Sequence, residues 1–188
     1  MQVKDLVRVF VKGGVISPGE FLKIIHIAEN LGSEYLHFGS RQDILFSVDD
    51  QQMEMLEQTF KAINAQYEIN SFQYQNICSS YVTVDLIPGK SWLVSYVYIN
   101  ILDSFDYEPK LRINVVDPSQ GLVPLFTGNI NFIASSMDNY WYIYLRLNGQ
   151  VENKWQLPVL VYSDDIPKVA KAIEDFCTED QQVDYQVI

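Results

Sequence analysis

Cysteine and histidine are scarce in this 188-residue chain, at two residues each. Cys78 and Cys177 stand far apart and alone, so the sequence cannot by itself supply the four thiolates of an iron–sulfur cluster or a cysteine-rich zinc site. With no export signal present, two buried thiols are expected rather than a disulfide. His26 has no Cys, Asp or second His at ligand spacing, and His37, the better candidate, is a single residue, so no metal site is expected. His26 falls among isoleucines and reads as a partly buried structural residue, whereas His37 borders a loop. Basic residues are also few, 13 against 24 acidic ones for a net charge of −11. Such a chain is repelled by phosphate backbones, which excludes nucleic acid as a partner. No apolar run reaches the roughly 18 residues of a membrane span. The N-terminal MQVKDLVRVF lacks the basic-then-apolar plan of a signal peptide, so the expected location is cytoplasmic.

Nucleotide and hydrolase signatures are missing too. Gly13-Gly14 has neither the dinucleotide nor the Walker spacing and reads as a tight strand-to-helix turn. Ser79 and Ser80 lack nucleophile-elbow glycines. Cys78 has no basic partner nearby in sequence and reads as a small buried side chain. No catalytic residue is assigned.

What is present is an ordinary globular balance, 48% hydrophobic with 20% charged, and a high aromatic load of 13%. The first seventy residues read as a β-α-β-β-α-β unit. A strand at 5–11 leads to Ser17-Pro18-Gly19-Glu20, which combines an N-cap, a first-turn proline and the glutamate of a capping box. Leu22, Ile24, Ile25, Ile27, Ala28 and Leu31 give that helix its apolar face, and Gly32 ends it. Strands follow at 35–38 and 43–48. Asp49 or Asp50 is expected to cap a second helix whose stripe is Met53, Leu56, Phe60 and Ile63, before a short strand at 67–69.

The polar stretch 70–75 is the expected boundary, dividing the chain into domains at 1–72 and 73–188. Beyond it, residues 91–105 fit a helix, with strand as a competitor because of their aromatic and β-branched content. Strands are expected at 110–116, 130–134, 140–147 and 157–162, with turns at 136–139 and at Asn148-Gly149. The run Tyr140-Trp141-Tyr142-Ile143-Tyr144 is expected to be a central strand packed on both faces, the alternative being a flat docking platform. Asp164 is expected to cap a final helix carrying Ile166, Val169, Ala170, Ile173 and Phe176. The tail from 178 is polar and acidic.

The segments GGVISPGEFLKII and EYLHFGSRQDILF resemble the ferredoxin-like half-domain of sirohaem-carrying nitrite and sulfite reductases. Further matching places are Gln75-Asn76-Ile77, Pro109-Lys110-Leu111-Arg112-Ile113 and Asn129-Ile130-Asn131-Phe132-Ile133. The resemblance implies an α+β fold, a ferredoxin-like unit followed by a mixed α+β nitrite/sulfite-reductase-like unit, equivalent to one half of a two-half enzyme. It also implies a basic pocket, because the eight carboxylates of sirohaem and the anionic substrate both need cations. Arg8, Arg41, Lys110 and Arg112 match basic family positions and are the expected cofactor-binding residues. Lys110 and Arg112, two apart on an expected strand, would share a face, and so would any solvated pair. Arg41 equally suits a surface ion pair. Two family arginines are replaced here, by Phe10 and Gln75, and the four cluster cysteines have no counterpart.

Residues 117–128 resemble the N-terminal part of longer bacterial proteins that carry a rubredoxin module. The expectation is therefore a nitrite/sulfite reductase-like domain without turnover of its own, in electron transfer, with a residual pocket for sirohaem or an oxyanion. Its expected partners are a second half-domain or a second copy of the chain, and a rubredoxin module or other electron carrier. The competing reading is a cofactor-free structural or protein-interaction module in a larger redox polypeptide.

Overall fold

The computed structural model describes residues 4–86, 92–146 and 154–179. Within them the order is β1 (Lys4–Val9), α1 (Pro18–Asn30), β2 (His37–Phe38), β3 (Ile44–Asp49), α2 (Met53–Ile63), β4 (Tyr67–Ile69), β5 (Cys78–Ser79), α3 (Thr83–Leu86), α4 (Ser95–Asp103), β6 (Ile113–Val116), β7 (Ile130–Ala134), β8 (Tyr140–Leu145), β9 (Trp155–Tyr162) and α5 (Ile166–Glu179). The chain adopts the expected α+β class.

The first four strands form an antiparallel sheet in the order β2-β3-β1-β4. Strict alternation along β3 puts Ile44, Phe46 and Val48 on the buried face. There they meet Val7 and Val9 of β1, Ile24, Ile27 and Ala28 of α1, and Leu56 and Phe60 of α2 in one apolar cluster. The capping box forms as expected. Ser17 Oγ accepts from Glu20 N at 3.1 Å, and Glu20 Oε2 takes the Ser17 N–H at 3.2 Å. At the other end Gly32, at φ +78°, lets its own N–H reach Glu29 O while Ser33 N–H reaches Ala28 O, so two terminal carbonyls are satisfied.

The second sheet runs β5-β6-β7-β8-β9, parallel across its first three strands and antiparallel beyond. Ile113 and Val115 of β6, and Ile130, Phe132 and Ala134 of β7, pack with Val97, Tyr98, Ile101 and Leu102 of α4 and with Ile166 and Ala170 of α5. The opposite face of β6 and β7 carries Asn114 and Asn131, both fully buried.

Several expectations are corrected. Residues 110–112 are not strand, because side chains take their backbone donors: Lys110 and Leu111 N–H both go to Glu174 Oε2 at 2.7 Å, and Arg112 N–H goes to Asn129 Oδ1 at 2.9 Å. Asp49 stands at the N-cap of a 3-10 turn, Asp50–Gln52, that leads into α2, without a side-chain cap bond, and Gln52 rather than either aspartate is the N-cap of α2; α5 follows a 3-10 turn, Ser163–Asp165, that contains Asp164. Leu22 and Phe176 are exposed rather than core, and Cys177 takes the buried place near the end of α5. The helix expected within 91–105 does form, over 95–103, since one face buries Val97, Tyr98, Ile101 and Leu102 and that packing overrides β propensity. Only one face of β8 is fully buried, with Trp141, Ile143 and Leu145 inward and the tyrosines half-buried. His26 is exposed beside Glu29. Cys78 and Cys177 are buried and not joined. The Asn148-Gly149 turn and nearly all of the acidic tail lie outside the described residues.

Candidate anion-binding site

A cavity of about 550 Å³ opens where the β2–β3 loop of the first sheet meets the Asn-bearing face of the second. Its walls are Ser40, Arg41, Gln42, Cys78, Arg112, Leu122, Val123, Pro124, Thr127 and Arg146. Among the described residues three guanidiniums and no carboxylate line it. Among the described residues none of the three has a carboxylate within 4.0 Å, although acids outnumber bases almost two to one in the whole chain.

Arg41 is delivered by a tight turn. Gln42 N–H bonds Gly39 O at 3.0 Å and Gly39 N–H bonds Asp43 O at 2.9 Å. A side chain at Gly39 would lie 1.9 Å from an Asp43 carboxylate oxygen, so any larger residue there would have to displace that carboxylate. The Arg41 guanidinium then crosses to the second sheet. It donates to Asn114 Oδ1 at 2.8 Å, to Asn76 O at 2.8 Å and to Ile113 O at 3.0 Å, while its buried Nε has no partner. Burial, and after it the neighbouring Arg112, lowers its pKa from the ordinary arginine value, as expected for a cation held without an acid. Asn76 fixes the base of this arrangement, donating to Val11 O and to Arg41 O at 2.8 Å each.

Three asparagines shape the rest. Asn114 also donates to Thr127 Oγ1 at 2.8 Å. Asn129 accepts from the Arg112 backbone and donates to Arg146 O at 3.2 Å, tying two of the cations to one side chain. Asn131 accepts from Gly128 N and donates to Gly128 O, both at 2.9 Å. Arg146, just beyond β8, donates to Phe126 O, and Lys154 sits 3.8 Å over the Phe126 ring. Cys78 lines the cavity, but burial pushes its thiol up to about 11, so it offers neither a nucleophile nor a ready metal ligand at neutral pH. No group of three or more His, Cys, Asp or Glu able to hold a metal occurs among the described residues.

Of the four cations expected to line one pocket, the structure brings together Arg41 and Arg112. Arg8 is 4% exposed and committed elsewhere. It pairs with Glu68 Oε2 at 2.5 Å, lies 3.8 Å from Asp43 and is covered by the Phe10 and Phe72 rings, each centred 4.9 Å away. Lys110 faces a separate depression with Asp106, Glu108, Lys171, Glu174 and Asp175. Phe10 lines a third cavity, beside Lys12 and Lys23, and the Gln75 side chain donates to Phe72 O. Arg146 was not expected. The available signal was a lone arginine ending an uncharged aromatic strand, which on periodicity alone reads as an edge residue.

These residues fit the anionic part of the macrocycle that the resemblance implies. Guanidiniums match carboxylates in geometry and charge, and the unpartnered Arg41 Nε is a spare donor, but three of them serve only an edge of an eight-carboxylate ring.

The sequence model for the nitrite/sulfite reductase ferredoxin-like half domain matches residues 2–63, the span from β1 through α2. Among solved structures, that of the Mycobacterium tuberculosis NirA protein aligns with a TM-score of 0.62 at 14% identity, covering 92% of this chain and 35% of that one. At that identity the likeness speaks for the fold, and the chain spans about a third of the length of the protein it matches. No curated protein matches the sequence. Residues 2–63 are thus similar to the nitrite/sulfite reductase ferredoxin-like half domain, and the chain as a whole shares its α+β fold with the NirA structure.

Proposed function

We propose that this chain is a nitrite/sulfite reductase-like module without turnover of its own, whose Arg41–Arg112–Arg146 cavity takes an oxyanion or the carboxylate edge of sirohaem. The supporting observation is a cavity lined, among the described residues, by three arginines and no acid in a chain of net charge −11. Unneutralised guanidiniums in a recess repel one another, and a bound anion relieves that repulsion. Arg41, Arg112 and Arg146 would hold the anion, with Thr127 and Gln42 as neutral partners at the rim. Electron transfer to the bound anion is the chemistry sirohaem supplies when present. The chain contributes binding and orientation, and a rubredoxin module or similar carrier is the partner that would deliver electrons. The functional division falls at 1–72 and 73–188, with the cavity between the two parts.

The test is equilibrium binding, by absorption for sirohaem and by calorimetry for sulfite, nitrite and phosphate. Because Arg41 also joins the two sheets, the informative variants are Arg112→Ala and Arg146→Ala. Each is expected to weaken binding about tenfold or more, the scale of a hydrogen bond to a charged group. A protein that binds none of these anions at millimolar concentration overturns the reading and leaves a cofactor-free interaction module in its place.

A further inference from the structure

The cavity is larger than its charge requires. A sulfite, nitrite or phosphate ion occupies on the order of a few water volumes, each about 30 Å³, whereas the recess is about 550 Å³. Organic ligands of tens of atoms sit in sites of this size. The surplus is also chemically one-sided. The wall facing solvent is Leu122, Val123 and Pro124, with Leu122 56% exposed.

That wall is not a slack loop. Gln120 is 8% exposed, and its side chain bonds Leu122 N, Val123 N and Val123 O, all at 2.8 Å. Just before it, Asp117 Oδ1 accepts from Ser119 N at 2.8 Å and Ser119 Oγ at 2.6 Å. A buried carboxamide therefore fixes an apolar lip in an exposed position beside three arginines. A bare oxyanion gains nothing from such a lip, because its own hydration favours water over hydrocarbon. An exposed leucine held in place next to a cationic floor suits a ligand with both characters.

We propose that the ligand of this cavity is a small organic oxyanion: an anionic head seated on Arg41, Arg112 and Arg146, with an apolar body lying along Leu122, Val123 and Pro124. This rests on the anion-binding reading above and adds the chemical class of the ligand. The head is a carboxylate, phosphate or phosphonate, all of which match the planar fork of arginine. The body is an alkyl or aromatic group of a few carbons.

The experiment is calorimetric titration of the full chain with inorganic phosphate and with methyl-, propyl- and hexylphosphonate. Affinity is expected to rise about two- to fourfold for each of the first few methylenes that leave water. Arg146→Ala should weaken every member of the series by a similar factor. Leu122→Ser, a change at an exposed position, should leave phosphate binding unaltered and flatten the dependence on chain length. Phosphate binding with no gain along the series overturns the inference while the anion reading stands. A gain that survives in Leu122→Ser also overturns it, by placing the apolar contact elsewhere. If no member of the series binds, this inference falls, while the anion reading stands or falls on the sirohaem, sulfite and nitrite titrations above.

Discussion

The Gln42 carboxamide pairs with both backbone groups of Ser79: its Nε2 donates to Ser79 O at 2.8 Å and its Oε1 accepts from Ser79 N–H at 2.9 Å. Ser79 lies in the edge strand of the second sheet, so a side chain from the first sheet acts there as a neighbouring strand. Gln42 itself sits at φ +61°, a left-handed conformation that costs a non-glycine residue about 1 kcal/mol or more. The strain positions the clasp.

Gln42→Ala should therefore destabilise the chain by about 2–3 kcal/mol, since it strands a fully buried N–H and C=O. Gln42→Gly should lose less, because it also relieves the left-handed backbone. Urea midpoints of the two variants decide this, and equal midpoints would remove the strain argument.

Arg8 and Glu68 face one another across β1 and β4, with side chains 5% and 8% exposed. Removing one partner of such a pair leaves a buried charge, so Arg8→Met should cost about 3–5 kcal/mol. Adding Glu68→Leu should recover much of it. Chemical denaturation of the single and double variants tests the cycle, and additive losses would mean that the pair is not coupled.

Gly13 combines φ +64° with close approach by α4, where an added Cβ would lie 2.4 Å from a Leu102 methyl. Gly13→Ala is expected to lower stability by about 1–3 kcal/mol from the backbone and overpacking together. Thermal melting would show it, and Leu102→Ala in the same background should return only the overpacking part.

Burial holds the Glu174 carboxyl above its ordinary value of 4.5, outweighing its two backbone donors. A raised acid holds its proton longer in the folded than in the unfolded state, so this group's contribution to stability is fullest at low pH. That contribution falls as pH rises from the unfolded value through the folded one. Glu174→Gln keeps an acceptor for Lys110 and Leu111 N–H and removes the titration. The stability of Glu174→Gln relative to wild type should grow over that window and then level off. A difference that stays constant from acid to neutral pH would contradict it.

Cys78 should resist iodoacetamide at neutral pH in the native state and react once unfolded, as its thiol at about 11 and its burial dictate. Peptide mapping after alkylation gives the answer, and rapid native labelling would mean that the cavity floor opens.

Local rules made much of the first unit legible. The capping box at Ser17 and Glu20, the turn at Gly13-Gly14 and the stop at Gly32 depend on neighbours a few residues away, and each formed as the sequence indicates. Where local signals competed with distant partners the reading failed. Residues 110–112 have strand composition, but Glu174 and Asn129 remove their backbone donors. Arg8 and Lys110 are cations of the same type as Arg41 and Arg112, yet acids from other elements claim Arg8 and surround Lys110. Arg146 joins the cavity only because β8 pairs with β7 and brings it beside Asn129.

The sequence by itself determined the element types of the N-terminal unit, the acidic surface and the lack of cluster thiols, because periodicity, capping and composition act at short range or as sums over the chain. Only the tertiary structure decided which arginines stand together. A guanidinium's role depends on whether a carboxylate lies within about 4 Å, where their attraction is strong enough to neutralise it. That distance is set by how the two sheets meet at Gln42, Asn76 and Ser79, not by any spacing along the chain.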